Sequence, residues 1–147
     1  MTQNDFLRAI ARKLDALWPD RKVYANQIPA NADGNHYVRI IETTYEKLLD
    51  RRRKTSIQFE VLFFAREDDN MSFHDWSEMM HYNFELLKVA DGSAEGRLVH
   101  LTGRRSMRND NLMAYQFMFD ANFYLLYAPL VGPIMEMLDQ EEAVKGG

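Results

Sequence analysis

Through residues 4–18 apolar side chains recur at three- and four-residue spacing, with Phe6, Leu7, Ile10, Leu14 and Leu17 sharing one side. That spacing predicts an amphipathic helix, and Pro19 ends it. Val23 and Tyr24 predict a short extended piece, after which Pro29, Asn31, Asp33 and Gly34 predict a turn. Residues 36–44 predict a β-strand, with Val38 and Ile40 on one face and Arg39 and Thr43 on the other. Residues 46–54 break the pattern with Asp50, Arg51, Arg52, Arg53 and Lys54, as an exposed connection would. Ile57, Phe59, Val61 and Phe63 then alternate with Ser56, Gln58, Glu60 and Leu62, a period of two that predicts a strand with an aromatic buried face.

Beyond the polar turn at residues 66–70, Phe73, Trp76, Met80, Phe84 and Leu87 predict a second helix, capped by Ser72, aided by Asp75 and closed by Asp91 and Gly92. A third strand over residues 96–104 leads to a hairpin tip at residues 109–111. A long fourth strand over residues 112–127 follows, placing Met113, Tyr115, Phe117, Phe119, Ala121, Phe123 and Leu125 on one face and Gln116, Asp120 and Asn122 on the other. Residues 133–142, with Ile134, Met135 and Leu138, suggest a short terminal helix. The expected architecture is α+β: a mainly antiparallel sheet of about four strands, covered on one face by two amphipathic helices, in a single domain over residues 1–147.

A chain of 147 residues can bury a stable core without disulfides, and with no cysteine it contains no thiolate metal site. A 46% hydrophobic and 27% charged composition is that of an ordinary globular protein. No stretch approaches the roughly 20 apolar residues of a membrane-spanning helix, and the first thirteen residues are unlike a secretion signal, so a soluble, unexported protein is expected. Eighteen basic against twenty-two acidic residues, a net charge of −4, weigh against a dedicated nucleic-acid binder.

Candidate chemistry is sparse. His74 and His81 stand seven residues apart on the predicted helix, two turns and not the one turn that a shared metal would need. His36 and His100 look like ordinary strand residues. There is no G-x-S-x-G sequence and no glycine-rich phosphate loop, so no catalytic residue, metal site or cofactor is expected. Two basic clusters are more informative. Arg51, Arg52, Arg53 and Lys54 lie at one strand connection, and Arg104, Arg105 and Arg108 flank another. They are either solvated hairpin ends, or arginines that meet the acidic surface of another subunit, with the acidic end of the chain (Glu136, Asp139, Glu141 and Glu142) as a candidate complement. Contact with the phosphates of passing DNA is the weaker option. Leu62 and Phe64, with Met118, Tyr124 and Leu126, are apolar at positions predicted to face outward, which marks either a partner surface or a covered second face.

The order of these pieces resembles a known family. The opening FLRAIARKLDALWPDRKVYANQI is similar to that of tail-terminator proteins of Gram-positive phages and prophages, in which an amphipathic helix runs into an aromatic-Pro turn and a V/I-Y segment, here Trp18-Pro19 and Val23-Tyr24. RRRKTSIQFEVLFFA resembles the family's strand of the type R-x-x-x-F-x-I-x-Y-F, and GRRSMRNDNLMAYQFMFDANFYLL its closing hairpin. Residues 31–35 depart from that pattern, standing where many members carry a Gln-Gly-Leu and proline-rich stretch. The resemblance implies a non-enzymatic subunit of the virion tail, assembled in the host cytoplasm as a ring of six copies on the end of the tail tube. It would stop tube growth and meet the head-completion protein, with DNA close by in the lumen. A bacterial module that binds a protein or a small ligand on its sheet and an enzyme of unrecognised type are the rival classes, marked respectively by a closed pocket on a stable monomer and by a polar cleft with perturbed titrating groups.

Overall fold

The computed structural model describes residues 1–49, 51–66 and 69–126, the side chains of Leu125 and Leu126 excepted. The described residues form two helices and six strands: α1 (Gln3–Leu17), β1 (Val23–Tyr24), β2 (His36–Lys47), β3 (Arg52–Phe63), α2 (Asn70–Asn83), β4 (Leu86–Val89), β5 (Arg97–Asn109) and β6 (Ala114–Leu126). The strands make one sheet in the order β1-β2-β3-β6-β5-β4. Every neighbouring pair is antiparallel except β1 with β2. The α+β class expected from the pattern holds, but the sheet is mixed and larger than four strands.

α1 begins at a reciprocal cap. The Asp5 amide donates to Thr2 Oγ1 at 3.2 Å and the Thr2 amide to Asp5 Oδ2 at 2.8 Å, which satisfies two amides that have no partner inside the helix. Its stripe of Phe6, Ile10 and Leu14 is fully buried. Phe6 stacks on Phe59 of β3 and Phe123 of β6, with ring centres 5.6 and 5.0 Å away. α2 brings Trp76 and Met80 to the same face, where Trp76 meets Phe63 and Tyr115. Burying aromatic side chains of this size contributes about 1.5–3 kcal/mol each, so the covered face holds most of the folding free energy.

Three local features differ from the pattern reading. α2 is capped by Asp69, whose Oδ1 accepts from the Ser72 amide at 2.6 Å, and not by the Ser72 hydroxyl. It also stops at Asn83. Phe84 and Leu87 fit helical spacing, but Leu87 and Val89 are buried while Leu86 and Lys88 are exposed, a period of two that makes residues 86–89 the edge strand β4. Finally, β2 bulges between Ile40 and Glu42, so Thr43 pairs with Ile57 and shares the face of Val38 and Ile40 instead of opposing it. The connection after β2 is also shorter than expected, because β2 runs to Lys47 and β3 starts at Arg52.

A second bulge, between Thr102 and Arg105, centres on Gly103. Gly103 has φ +60°, and a Cβ there would stand 2.6 Å from Asp120 Oδ2, so the position requires glycine. The extra residue inverts the alternation of β5, turning Arg104, Ser106 and Arg108 toward α2 and Arg105 and Met107 toward the open face.

Candidate functional site

The two basic clusters have different fates. Arg51 is exposed in the turn before β3, and Arg52 opens β3, also exposed. Arg53 and Lys54 are half-buried strand residues that pair with Lys47 and Glu46 across β2, so strand alternation divides the cluster between the two faces. The second cluster is no hairpin end at all, because Arg104, Arg105 and Arg108 all lie within β5. Arg104 Nη1 donates to the His81 carbonyl at 2.5 Å, at the C-terminal end of α2, and Arg108 Nη1 donates to Asn70 Oδ1 at the other end. Between them the Ser77 and Ser106 hydroxyls are bonded at 2.5 Å. Arg105 is exposed, with Nη1 donating to the Gly103 carbonyl at 2.9 Å.

Leu62, on the face without helices, is buried, and Phe64 is half-buried, so neither forms an open apolar patch. Beside Leu62 lies a polar cluster. Glu60 is buried, its Oε1 accepts from Arg39 Nε at 2.8 Å, and its Oε2 accepts from Gln116 Nε2. Tyr124 is more than half exposed on that face. Glu141, Glu142 and the expected terminal helix lie outside the described residues. His74 is exposed, while His81 is half-buried against Ser106, and burial followed by the charge of Arg104 lowers its pKa. Among the described residues no three His, Asp or Glu side chains stand together as metal ligands, and no helix is long and apolar enough to cross a membrane.

The arrangement that pattern reading missed sits where α1 hands over to β1. A cavity of about 590 Å³ is bounded by Trp18 and Arg21 from the turn after α1, Asn35 from the turn before β2, Phe63 and Arg66 from the end of β3, and Asp75, Trp76 and Met79 from α2. Arg21 lies over two rings, its guanidinium carbon 4.8 Å from the centre of Trp18 and 4.2 Å from that of Phe63. Its burial lowers its pKa from the usual arginine value, against the opposing charge of Asp20.

His36 packs against the same two rings, 5.2 Å from Trp18 and 5.0 Å from Phe63, and is no ordinary strand residue. It is fully buried and its Nε2 accepts from Trp76 Nε1 at 3.1 Å, which puts the ring proton on Nδ1. Burial and then the nearby Arg21 push its pKa down to about 3, so the ring is neutral. His36 Nδ1 and Arg21 Nη1 are both buried without a hydrogen-bond partner, and such a donor costs roughly 1–3 kcal/mol. The only early signal was the sequence Trp18-Pro19-Asp20-Arg21, with an arginine one turn beyond an aromatic residue.

A family model described as phage tail terminator protein matches residues 5–129. The chain belongs to the phage tail terminator family. As a member it is a structural component of a phage tail, in a family not known for enzymatic activity. The tail terminator matches no curated protein. Among solved structures, one that is 16% identical covers 88% of this chain and 99% of its own, with a TM-score of 0.46.

Proposed function

We propose that this tail terminator caps the tail tube as a ring, stops the polymerisation of the tube protein and presents the surface that joins tail to head. The observation that carries the reading is the family match over residues 5–129, nearly the whole described chain. Two features support it. Both helices lie on one face of the sheet, leaving the other for contacts, and the β2–β3 turn projects Leu49, which is 85% exposed, beside the exposed Arg51 and Arg52. Arg51, Arg52, Arg53, Lys54 and Arg105 are the residues we assign to subunit or tube contacts, with Phe64 at the margin. Arg104 and Arg108 hold α2 in place and act on the interface through it, and Leu62 supports the open face from within. The acidic Glu141 and Glu142 provide carboxylates for a neighbouring arginine. The assembled partners are further copies of the chain, six in the ring, with the tube protein and the head-completion protein, brought together in the host cytoplasm.

The test is assembly of tube protein in the presence of the terminator, followed by electron microscopy. The wild-type chain is expected to leave tubes of limited length with a ring at one end. Arg51→Glu with Arg52→Glu is expected to give long, uncapped tubes from a protein that still folds. Tubes unaffected by the wild-type chain would refute the capping role.

A further inference from the structure

The cavity around Arg21 is unexplained by a role confined to the sheet faces and the β2–β3 turn. It combines an arginine lying over two rings, a second arginine, Arg66, at its rim, and a wall made by Trp18, Phe63, Trp76 and Tyr115. Neither arginine forms an ion pair with the described residues, whose ion pairs are Arg8 with Asp5 and Arg39 with Glu60. Two donors that meet the same rings, Arg21 Nη1 and His36 Nδ1, lack an acceptor. A site with surplus donors, aromatic walls and an unpaired guanidinium suits a carboxylate carried on an apolar chain.

We infer that this cavity receives the acidic stretch at residues 133–142 of a second copy of the chain, with Arg21 as the main receiving group and Arg66 as the outer one. This rests on the reading of the protein as a self-assembling tail subunit. The stretch, PIMEMLDQEE, offers four carboxylates, Glu136, Asp139, Glu141 and Glu142, interleaved with Ile134, Met135, Met137 and Leu138. Its charge complements the arginines, and methionine sulfur packs well at aromatic edges. Asp20 and Asp75 also line the cavity, so the incoming carboxylate must enter on the arginine side.

The reading of the protein as a self-assembling subunit favours a second copy over the same chain, and chain length makes the two distinguishable by experiment. β6 ends at Leu126, opposite Arg52, whereas the cavity lies beside Phe63 at the other end of β3. Those ends are about 36 Å apart at the rise of a β-strand. The ten residues from Leu126 to Glu136 span at most about 36 Å when fully stretched, so Glu136 reaches the cavity of its own chain only on a straight path, whereas Asp139, Glu141 and Glu142 have length to spare and crosslinking must separate the two routes. A segment that leaves β6 beyond Leu126 in one subunit and enters the cavity beside Phe63 in the next would link copies head to tail, the contact type that closes into rings.

Both tryptophans of the chain, Trp18 and Trp76, line the cavity, so its occupancy is readable from intrinsic fluorescence. The probe is a synthetic peptide of residues 133–142, titrated into the full-length protein. Saturable change in tryptophan emission is expected, weakened about tenfold by Arg21→Gln and less by Arg66→Gln, as the loss of a charge-assisted hydrogen bond predicts. Arg66 is exposed, so its variant remains informative if Arg21→Gln fails to fold. Asp20→Asn is expected to tighten binding, and a peptide with Gln and Asn in place of the four acids is expected to bind at least tenfold more weakly.

Equal binding of the acidic and amide peptides, or no response to either, would overturn the inference, as would crosslinks from this stretch to the cavity only within one chain. Normal rings on tail tubes from Arg21→Gln and Arg66→Gln proteins, together with no peptide response, would remove this site while leaving the capping role intact.

Discussion

The two ends of the sheet use the same kinds of charged residue in opposite ways. At the end formed by His36, Phe63 and Tyr115, basic groups are drawn inward. Arg21 is stacked between rings, His36 is buried and neutral, and on the adjoining β5 Arg104 and Arg108 are bonded to the two ends of α2. At the end formed by Lys47, Arg52 and Leu126, Arg51 and Arg52 stand in water beside an exposed Leu49. At the first end Arg104 and Arg108 are committed to the fold, where removing either leaves its partner on α2 unsatisfied, while Arg21 is enclosed by rings with its Nη1 still open to an acceptor. At the second end charge is screened and contributes little to stability, which leaves it available to other molecules.

Four changes test that contrast, taken in order of expected effect on unfolding free energy. Gly103→Val places a side chain at positive φ and against Asp120, and so disrupts the bulge that turns Arg104 and Arg108 inward. A loss of about 3 kcal/mol is expected in urea unfolding.

Acid comes next. His36 has its folded pKa depressed to about 3 from an unfolded value of 6.5, so the stability it contributes is complete above about pH 6.5 and falls away as pH drops toward 3. Between pH 6.5 and 4.5 the loss amounts to about 2–3 kcal/mol. A His36→Gln protein is expected to show a correspondingly flatter decline in the same pair of urea titrations.

Arg104→Ala removes the charge-assisted bond to the His81 carbonyl, and about 1.5–2 kcal/mol is expected to disappear, read as a lower urea midpoint at unchanged slope. The smallest effect belongs to the exposed end. Arg51→Glu with Arg52→Glu is expected to move stability by less than about 0.5 kcal/mol. A loss there comparable to that of Arg104→Ala would erase the difference between the ends.

Much of this fold is visible in the residue pattern, and the reasons for the exceptions are physical. The stripe from Phe6 to Leu14 and the alternations in β3 and β6 belong to long segments with one buried side, where a single period dominates. β4 escaped because four residues cannot separate a period of two from helical spacing, and Leu87 satisfies both. The bulges at Ile41 and Gly103 escaped because an extra residue inverts alternation without changing composition, which is why Thr43 and Arg104 point opposite to a regular strand. The cavity draws on residues from Trp18 to Tyr115, brought together only by the crossing of the sheet order, so no local spacing announces it. The Arg51 and Arg52 position was legible because it depends on a turn alone.

The sheet is bordered by β1, two residues long, and β4, four residues long, and Lys13 Nζ already bonds the Leu86 carbonyl on β4 at 2.6 Å. Those short strands pair with only His36 and Tyr37 of β2 and with Arg97 to His100 of β5, so the rest of each long strand, residues 38–47 and 102–109, has no strand on its outer side among the described residues. The sheet can therefore be lengthened along β2 by a strand from another molecule, and Arg39, Glu42, Glu46 and Lys47 on β2 supply charges that restrict which strand fits. Neighbouring molecules thus have backbone as well as side-chain groups to meet through, and the β2 edge is one place where a contact of fixed register can form.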